Sequence, residues 1–408
     1  MVLVRRLTHL FTASCAVNRP CIHRTFCGVY GVVAYIHQHQ DWPKFFWDNG
    51  KLLPTLANLR LQQGRLLGQM EGLGFRFRTE AGLENLTAEV IKSSAIEGTV
   101  FDPEAVRSSV ARHMGLPASH DVAPGREVDG AVEMLVDATQ NYAQPLTVDR
   151  LLGWQSALFP SGRSGIKRIL VGAWRTPDMD PMQVISGPLS RDQVRPRNIH
   201  FEAPEAKRLP DEVARFLQWF ETADGTDAVL RAGLAHLWFV TIHPFEDGNG
   251  RVSRAIADMA LARAESTGLR FYSLSTRIEA QKKQYYDILE RTQKGTMDVT
   301  DWLVWFLACL EGAIAGAQVS LARIIQKSST WERVNGALQV SDRQKLVLNA
   351  LLDGENPELS TSRYAKLAQC SLDTALRDIK QLVDAGVLEP GVGGGRSTTY
   401  RLRQTAAA

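Results

Sequence analysis

Between Asp227 and Ile242 the chain runs through LRAGLAHLWFVTI, a stretch whose only formal charge is Arg231. A segment of that length, apolar on every side, predicts a helix buried all round. Beyond it, Ile256, Met259, Ala260 and Leu261 recur at helical spacing, with Arg263 and Glu265 turned outward. The two helices are separated only by His243-Pro244-Phe245-Glu246-Asp247-Gly248-Asn249-Gly250-Arg251-Val252-Ser253-Arg254. Whatever else the chain does, it must wrap other elements around this helix–loop–helix, and further amphipathic helices are the material it has for that.

The loop concentrates chemistry. Gly248, Asn249 and Gly250 can adopt conformations closed to most residues, turning successive backbone N–H groups into one concavity. At the start of the following helix such a concavity is an anion site. Arg251 and Arg254 lie three apart on its first turn, so both guanidinium groups can meet phosphate oxygens on one face. Asp247 is a hard oxygen ligand suited to a Mg²⁺ shared with those phosphates. His243 ends the buried helix, with the side chain best matched to general base work near neutral pH. Together these predict transfer from a nucleoside triphosphate to a hydroxyl. One imidazole without a second ligand cluster argues against zinc, and no glycine-rich loop ends in Lys-Ser or Lys-Thr, so a P-loop is excluded.

The pattern HPFxDGNGRxxR, filled at every defined position, resembles the signature of Fic-domain proteins. The resemblance implies transfer of a nucleotide moiety, most often AMP from ATP, onto a Ser, Thr or Tyr hydroxyl of a protein. His243 is then the catalytic base and Asp247 the Mg²⁺ ligand, while Asp247, Gly248, Asn249, Gly250, Arg251 and Arg254 hold the nucleotide. A helix over Glu80 to Ser94 leads into Ser93-Ser94-Ala95-Ile96-Glu97-Gly98, similar to the Fic inhibitory motif [ST]-x-x-x-E-[GN]. By that resemblance Ser93, Glu97 and Gly98 form an inhibitory element, with Glu97 pairing with Arg254 in place of the γ-phosphate.

Other expectations follow in chain order. Residues 1–34 hold four arginines, three cysteines and no acid, and read as a disordered extension, a targeting peptide being the alternative. The apolar run Gly28 to Ile36 is far short of a membrane span. Without this stretch the chain is nearly neutral, so its basic pI is no argument for nucleic acid. Residues 35–144 predict an N-terminal helical domain, with a long helix from Asn49 to Met70 and a loop over Pro117 to Pro124. Residues 145–326 predict the catalytic core, entered by a helix capped at Thr147.

Within the core, β-branched runs at Ile169 to Val171 and Met182 to Ile185 predict a small hairpin. In Fic proteins such a flap holds the target segment by strand addition, and the resemblance puts Val184, Ile185, Ser186 and Gly187 beside the nucleotide. It carries Tyr286 and Gln293 to the base and ribose. His236 predicts a core histidine rather than a second base.

A break near Lys327 to Gln339 leads to residues 338–404, where three helices and two strands around GVGGGRS resemble a winged helix. Arg377 and Lys380 against Asp373, Asp378 and Asp384 on its third helix favour a protein-contact or dimerisation module over DNA. Cys309 and Cys370 sit in apolar helical contexts without disulfide spacing, as expected of a reducing, cytoplasmic compartment.

The expected fold is thus mainly α: a Fic helical core with a β-hairpin flap, an N-terminal helical domain and a C-terminal winged helix. The expected function is an auto-inhibited protein adenylyltransferase using ATP and Mg²⁺, with a protein substrate docked at the flap and a homodimer as a further partner. The alternatives are a DNA-binding regulator whose Fic core senses nucleotide, or a Fic enzyme that uses another nucleotide or removes AMP.

Overall fold

The computed structural model describes residues 35–403 apart from 73, 118–123, 187–197, 355–357 and 392–397. Among them are fourteen α-helices and three small antiparallel sheets, so the mainly α class holds. The basic N-terminal stretch, Gly187 and most of the GVGGGRS turn lie outside the described residues.

Helix starts follow their caps. α1 (Asn49–Glu71) begins where the Asp48 carboxylate accepts from Gly50 N and Lys51 N. α2 (Phe75–Ile96) is longer than predicted by a turn at its start. α3 (Pro103–His113) opens on Asp102, which accepts from Ala105 N, with Pro103 in the first turn. After α4 (Arg126–Gln140), α5 (Val148–Leu158) starts at the predicted cap, with Thr147 Oγ1 accepting from Arg150 N.

The hairpin prediction needs correction. β1 (Arg163–Ser164) and β2 (Lys167–Arg168) form a two-stranded ribbon, and β3 (Gln183–Ser186) pairs with β4 (Asn198–Glu202), not with Ile169 to Val171. The reason lies in Leu170, whose N–H donates to Glu246 and whose carbonyl accepts from Gln155. Side chains satisfy that backbone, so no ladder is needed. The β3–β4 register, Val184 opposite Phe201 and Ile185 opposite Ile199, is broken by a bulge between Val184 and Ile185.

α6 (Leu209–Glu221) leads to the central pair, α7 (Ala228–Ile242), almost wholly buried as the sequence predicts, and α8 (Asn249–Glu265), buried more fully than expected because Glu265 turns in to pair with Arg270. Asp227 caps α7 through Val229 N at 2.8 Å and takes the Arg60 guanidinium of α1 at 2.9 and 3.1 Å. His236 lies inside the core, its Nε2 2.9 Å from the Tyr285 hydroxyl.

α9 (Leu274–Ala280), α10 (Lys282–Gln293) and α11 (Thr300–Ala337) complete the main body. By length and composition α11 passes as a membrane span. Its first half, though, packs Trp302, Leu303, Phe306, Leu307 and Leu310 into the protein core. α11 also corrects the expected break near Lys327: with no proline in its way the helix runs on through Gly336 to Ala337. Its far end joins a second core through Trp331 and Val334, the Trp331 indole donating to Asn349.

That second core holds α12 (Asp342–Asp353), β5 (Leu359–Ser360), α13 (Thr361–Leu367), α14 (Leu372–Asp384), β6 (Leu388–Pro390) and β7 (Thr399–Leu402), with the strands in the order β5-β7-β6. Ser371 caps α14 through Thr374 N. Asp378, one of the three acids set against Arg377 and Lys380 on this helix, is buried and accepts from the Tyr364 hydroxyl and Arg343.

Candidate active site

The site begins at the end of α7. His243 closes that helix in the left-handed region, φ 49° and ψ 58°, with its N–H still bonded to Phe239 O. A residue with a β-carbon pays roughly 1 kcal/mol for that conformation. In return the helix stops abruptly and the imidazole leaves it. Nδ1 lies 3.1 Å from Val240 O. That carbonyl can only accept, so Nδ1 carries the proton and Nε2 is left as the basic nitrogen. Burial lowers the pKa of the ring. The Val240 carbonyl opposes that shift, and the Arg175 charge adds to it. His243 is therefore neutral at pH 7, the form a base needs.

Past His243 the loop is braced from within. Asn249 Oδ1 accepts from Phe245 N and Asn249 Nδ2 donates to Phe245 O, both at 2.9 Å. Both ends of that amide are used by backbone and the residue is 2% exposed. Asn249 thus holds the shape of the loop, which differs from its expected contact with phosphate. Gly248, at φ 92°, is the N-cap of α8, and a β-carbon there would stand 3.0 Å from the Phe159 ring. The first turn of α8 then presents the N–H groups of a helix start toward the site.

The two carboxylates of the loop differ in use. Glu246 is taken by Leu170 N and by Lys167 at 2.7 Å. Asp247 accepts from Gly248 N at 2.6 Å and from the Ser164 hydroxyl of β1. Among the described residues no cluster of three or more His, Cys, Asp or Glu could hold a metal. A lone carboxylate fits a Mg²⁺ that arrives with phosphates and keeps several waters, rather than one caged by protein.

Arg251 and Arg254 lie on the inner face of α8. The Arg251 guanidinium covers the Phe159 ring at 4.8 Å, and its Nε has no partner. Arg254, 1% exposed, donates from Nε to Ser93 Oγ at 2.9 Å. Its Nη2 donates to Ser93 O at 2.9 Å and to Glu97 Oε1 at 2.8 Å, while Nη1 is unpartnered. Burial would lower the Arg254 pKa, and the Glu97 carboxylate overrides it upward. Two buried arginines with orphaned N–H groups at one helix start fit an anion.

Glu97 caps α2 and Gly98 follows at φ 85°. Its carboxylate lies against α8: a β-carbon on Gly250 would sit 2.1 Å from Glu97 Oε1. Two donors from α10 hold the α2 terminus, the Tyr286 hydroxyl on Ile96 O at 3.2 Å and Lys282 Nζ on Ala95 O at 3.4 Å. Burial and then Glu97 push the Tyr286 hydroxyl up to about 12.

The remaining predicted residues scatter. Val184 and Ile185 are exposed on the flap, whereas Ser186 Oγ meets His200 Nε2 at 2.6 Å. His200 Nδ1 in turn meets Glu290 of α10 at 2.6 Å. Gln293 is buried, its amide donating to Thr241 Oγ1 at 3.2 Å, so the core rather than an open base pocket uses it. Phe159, Ser164, Arg175 and Lys282 escaped the sequence reading. Arg175 and Ser164 sit among glycines and prolines where no periodicity marks an inward-facing side chain.

Residues 145–261 match the Fic/DOC family. That stretch is a Fic/DOC domain. Residues 35–116, which include α1, α2 and Glu97, match a domain of unknown function (DUF4172). The chain is 33% identical over 131 residues to a uridine 5'-monophosphate transferase of Xanthomonas campestris pv. campestris (strain 8004), covering 29% of this chain and 21% of that protein. It is 34% identical over 99 residues to the protein adenylyltransferase Fic of Drosophila mojavensis, covering 24% and 18% respectively. The match thus spans only about a fifth of the length of these relatives. Among solved structures, a Fic family protein from Desulfovibrio desulfuricans G20 is similar at 20% identity and a TM-score of 0.49, covering 87% of this chain and 98% of that one.

Proposed function

We propose that the protein is a nucleotidyltransferase that moves AMP from ATP onto a Ser, Thr or Tyr hydroxyl of a protein, itself included, and that Glu97 holds it shut. The observation that carries this reading is the Glu97–Arg254 pair over Gly250, within the Fic/DOC loop that also presents His243. Relatives named for AMP and for UMP transfer support the reaction class and leave the nucleotide to experiment.

In the reaction the substrate hydroxyl gives its proton to His243 Nε2, and its oxygen attacks the α-phosphorus in line. The new P–O bond forms as the bond to pyrophosphate breaks. Arg251 and Arg254 and the N–H groups at the start of α8 offset the charge that develops on the phosphates. Asp247, steadied by Ser164 and Gly248 N, would hold a Mg²⁺ arriving with the nucleotide, and that ion would offset part of the phosphates' negative charge. Val184 and Ile185 on the flap edge are proposed to hold the target segment by strand addition.

The second core is proposed to be a winged helix that contacts protein, the second subunit of a homodimer included. With Asp378 inside, α14 presents Leu372 and Leu376 to solvent beside Arg377 and Lys380, an apolar surface that phosphate backbone does not use. Reduced Cys309 and Cys370 are in keeping with a cytoplasmic setting.

Mass spectrometry of the purified chain incubated with each nucleoside triphosphate and Mg²⁺ tests the reading. AMP addition is expected from ATP, increased in Glu97→Gly and lost in His243→Ala. No adduct from any triphosphate with Glu97→Gly, for the chain or for lysate proteins, refutes it.

A further inference from the structure

Arg175 lies in the irregular stretch between the β1–β2 ribbon and the flap, yet it is 5% exposed. Its backbone N–H donates to Pro244 O at 3.0 Å. Its Nε donates to His243 O at 2.9 Å, and its Nη2 reaches Pro204 O and, at 3.4 Å, Ile242 O. Every one of these acceptors is a main-chain carbonyl. Two belong to the last turn of α7 and the base itself, one to the catalytic loop, and one to the segment that leaves the flap after β4. Next to it, the Trp174 ring packs on Phe245 with centroids 4.7 Å apart.

No carboxylate pairs with Arg175 among the described residues, although burial pulls its pKa down only to about 10, so it is cationic at pH 7. A buried cation without a counter-charge is costly. Here the orphan carbonyls at the negative end of α7 meet it instead. Only a fork with several donors can serve the end of α7 and the flap exit at once. Arg175 itself lies on the segment that leads into the flap, and Pro204 lies on the one that leaves it. The flap root is closed by Ala203 N on Met182 O at 2.9 Å. A rigid side chain thus ties both legs of the flap to the residue that carries the base.

We propose that Arg175 is a positioning residue for transfer, fixing the distance between the His243 imidazole and a hydroxyl held on the flap. It touches neither nucleotide nor substrate, and the inference rests on the proposed transfer only for its kinetic consequence. A misplacement of about 1 Å between base and hydroxyl can cost on the order of a hundredfold in rate. Nucleotide affinity, set by α8 and Asp247 on the other side of the loop, should hardly change.

The experiment compares Arg175→Lys and Arg175→Met in a Glu97→Gly background. Lysine keeps the charge but loses the fork, and methionine loses both. Each variant is checked by thermal melting, and rates are expressed per folded molecule. Both are expected to lower kcat about 10- to 100-fold with KM for ATP within about twofold. The methionine variant should also move the acidic limb of the pH profile upward, because the Arg175 charge disfavours the imidazolium. In the lysine variant that limb should stay in place.

The same titration is read without turnover by NMR on protein labelled at the histidine Cε1 positions, with His243 assigned by its loss in His243→Ala. If the protein transfers no nucleotide, the proposed function fails, and an upward shift of His243 in Arg175→Met still upholds the hold of Arg175 on the base. An unmoved His243 titration together with wild-type kcat in both variants overturns the proposal. So does full kinetic rescue by lysine, since a fork would then be unnecessary.

Discussion

Replacing Glu97 by glycine tests whether the carboxylate and the nucleotide compete for one guanidinium. In the structure Arg254 is 1% exposed and Glu97 30% exposed, joined at 2.8 Å. A hydrogen bond to a charged group contributes about 1.5–3 kcal/mol, and the exposure of Glu97 argues for the lower half of that range. Arg254 keeps both Ser93 bonds in the variant, so the buried cation is not abandoned. If a terminal phosphate must displace Glu97, the coupling of about 1.5–2 kcal/mol appears as roughly a 10- to 30-fold gain in affinity for Mg²⁺-ATP. Calorimetric titration in a His243→Ala background, where nothing turns over, measures it directly. Glu97→Gln should fall between, because it keeps the shape and loses the charge. Equal Kd in the presence and absence of Glu97 would refute the competition, even if labelling rose for another reason.

Further outcomes follow from particular contacts. His243→Ala should lower transfer by about 10²–10⁴-fold in single-turnover labelling. Because His243 is held below its ordinary 6.5, the acidic limb of the rate profile should lie below pH 6.5. Buried His236, pulled down to about 3, should make folding stability constant above about pH 6.5 and decreasing as pH falls, since the unfolded chain takes that proton first. The slope is at most about 1.4 kcal/mol per unit for this residue, and comparing melts of His236→Gln across pH should show it reduced. Asn249→Ala removes both amide bonds to Phe245 and should cost about 1–3 kcal/mol, read as a lower Tm together with lost transfer. Gly250→Ala would drive a β-carbon into Glu97, so it should cost more stability in the wild-type chain than in Glu97→Gly.

Much of this site was legible because its residues are neighbours in the chain. HPFEDGNGRVSR put base, carboxylate, glycines and arginines within one loop, and the nearly uncharged run before it demanded burial. The SxxxEG stretch is about 150 residues upstream, and no helical period joins it to Arg254. A resemblance suggested the contact, while the packing of α2 beside α8 supplies the geometry. Asn249 shows the opposite case: its sequence position suits a phosphate cradle, and only the fold reveals that Phe245 uses both ends of its amide.

The sequence determined the helices, most of their caps and the chemistry of the central loop, because those depend on residues a few positions apart. Tertiary structure decided which carboxylate meets Arg254, that the flap pairs β3 with β4 across a long connection, and that α11 continues into the second core. It also decided that Arg175, in a stretch without period, is buried on the carbonyls of the base. Each of these depends on surfaces brought together from distant parts of the chain, and local spacing carries no record of such pairings.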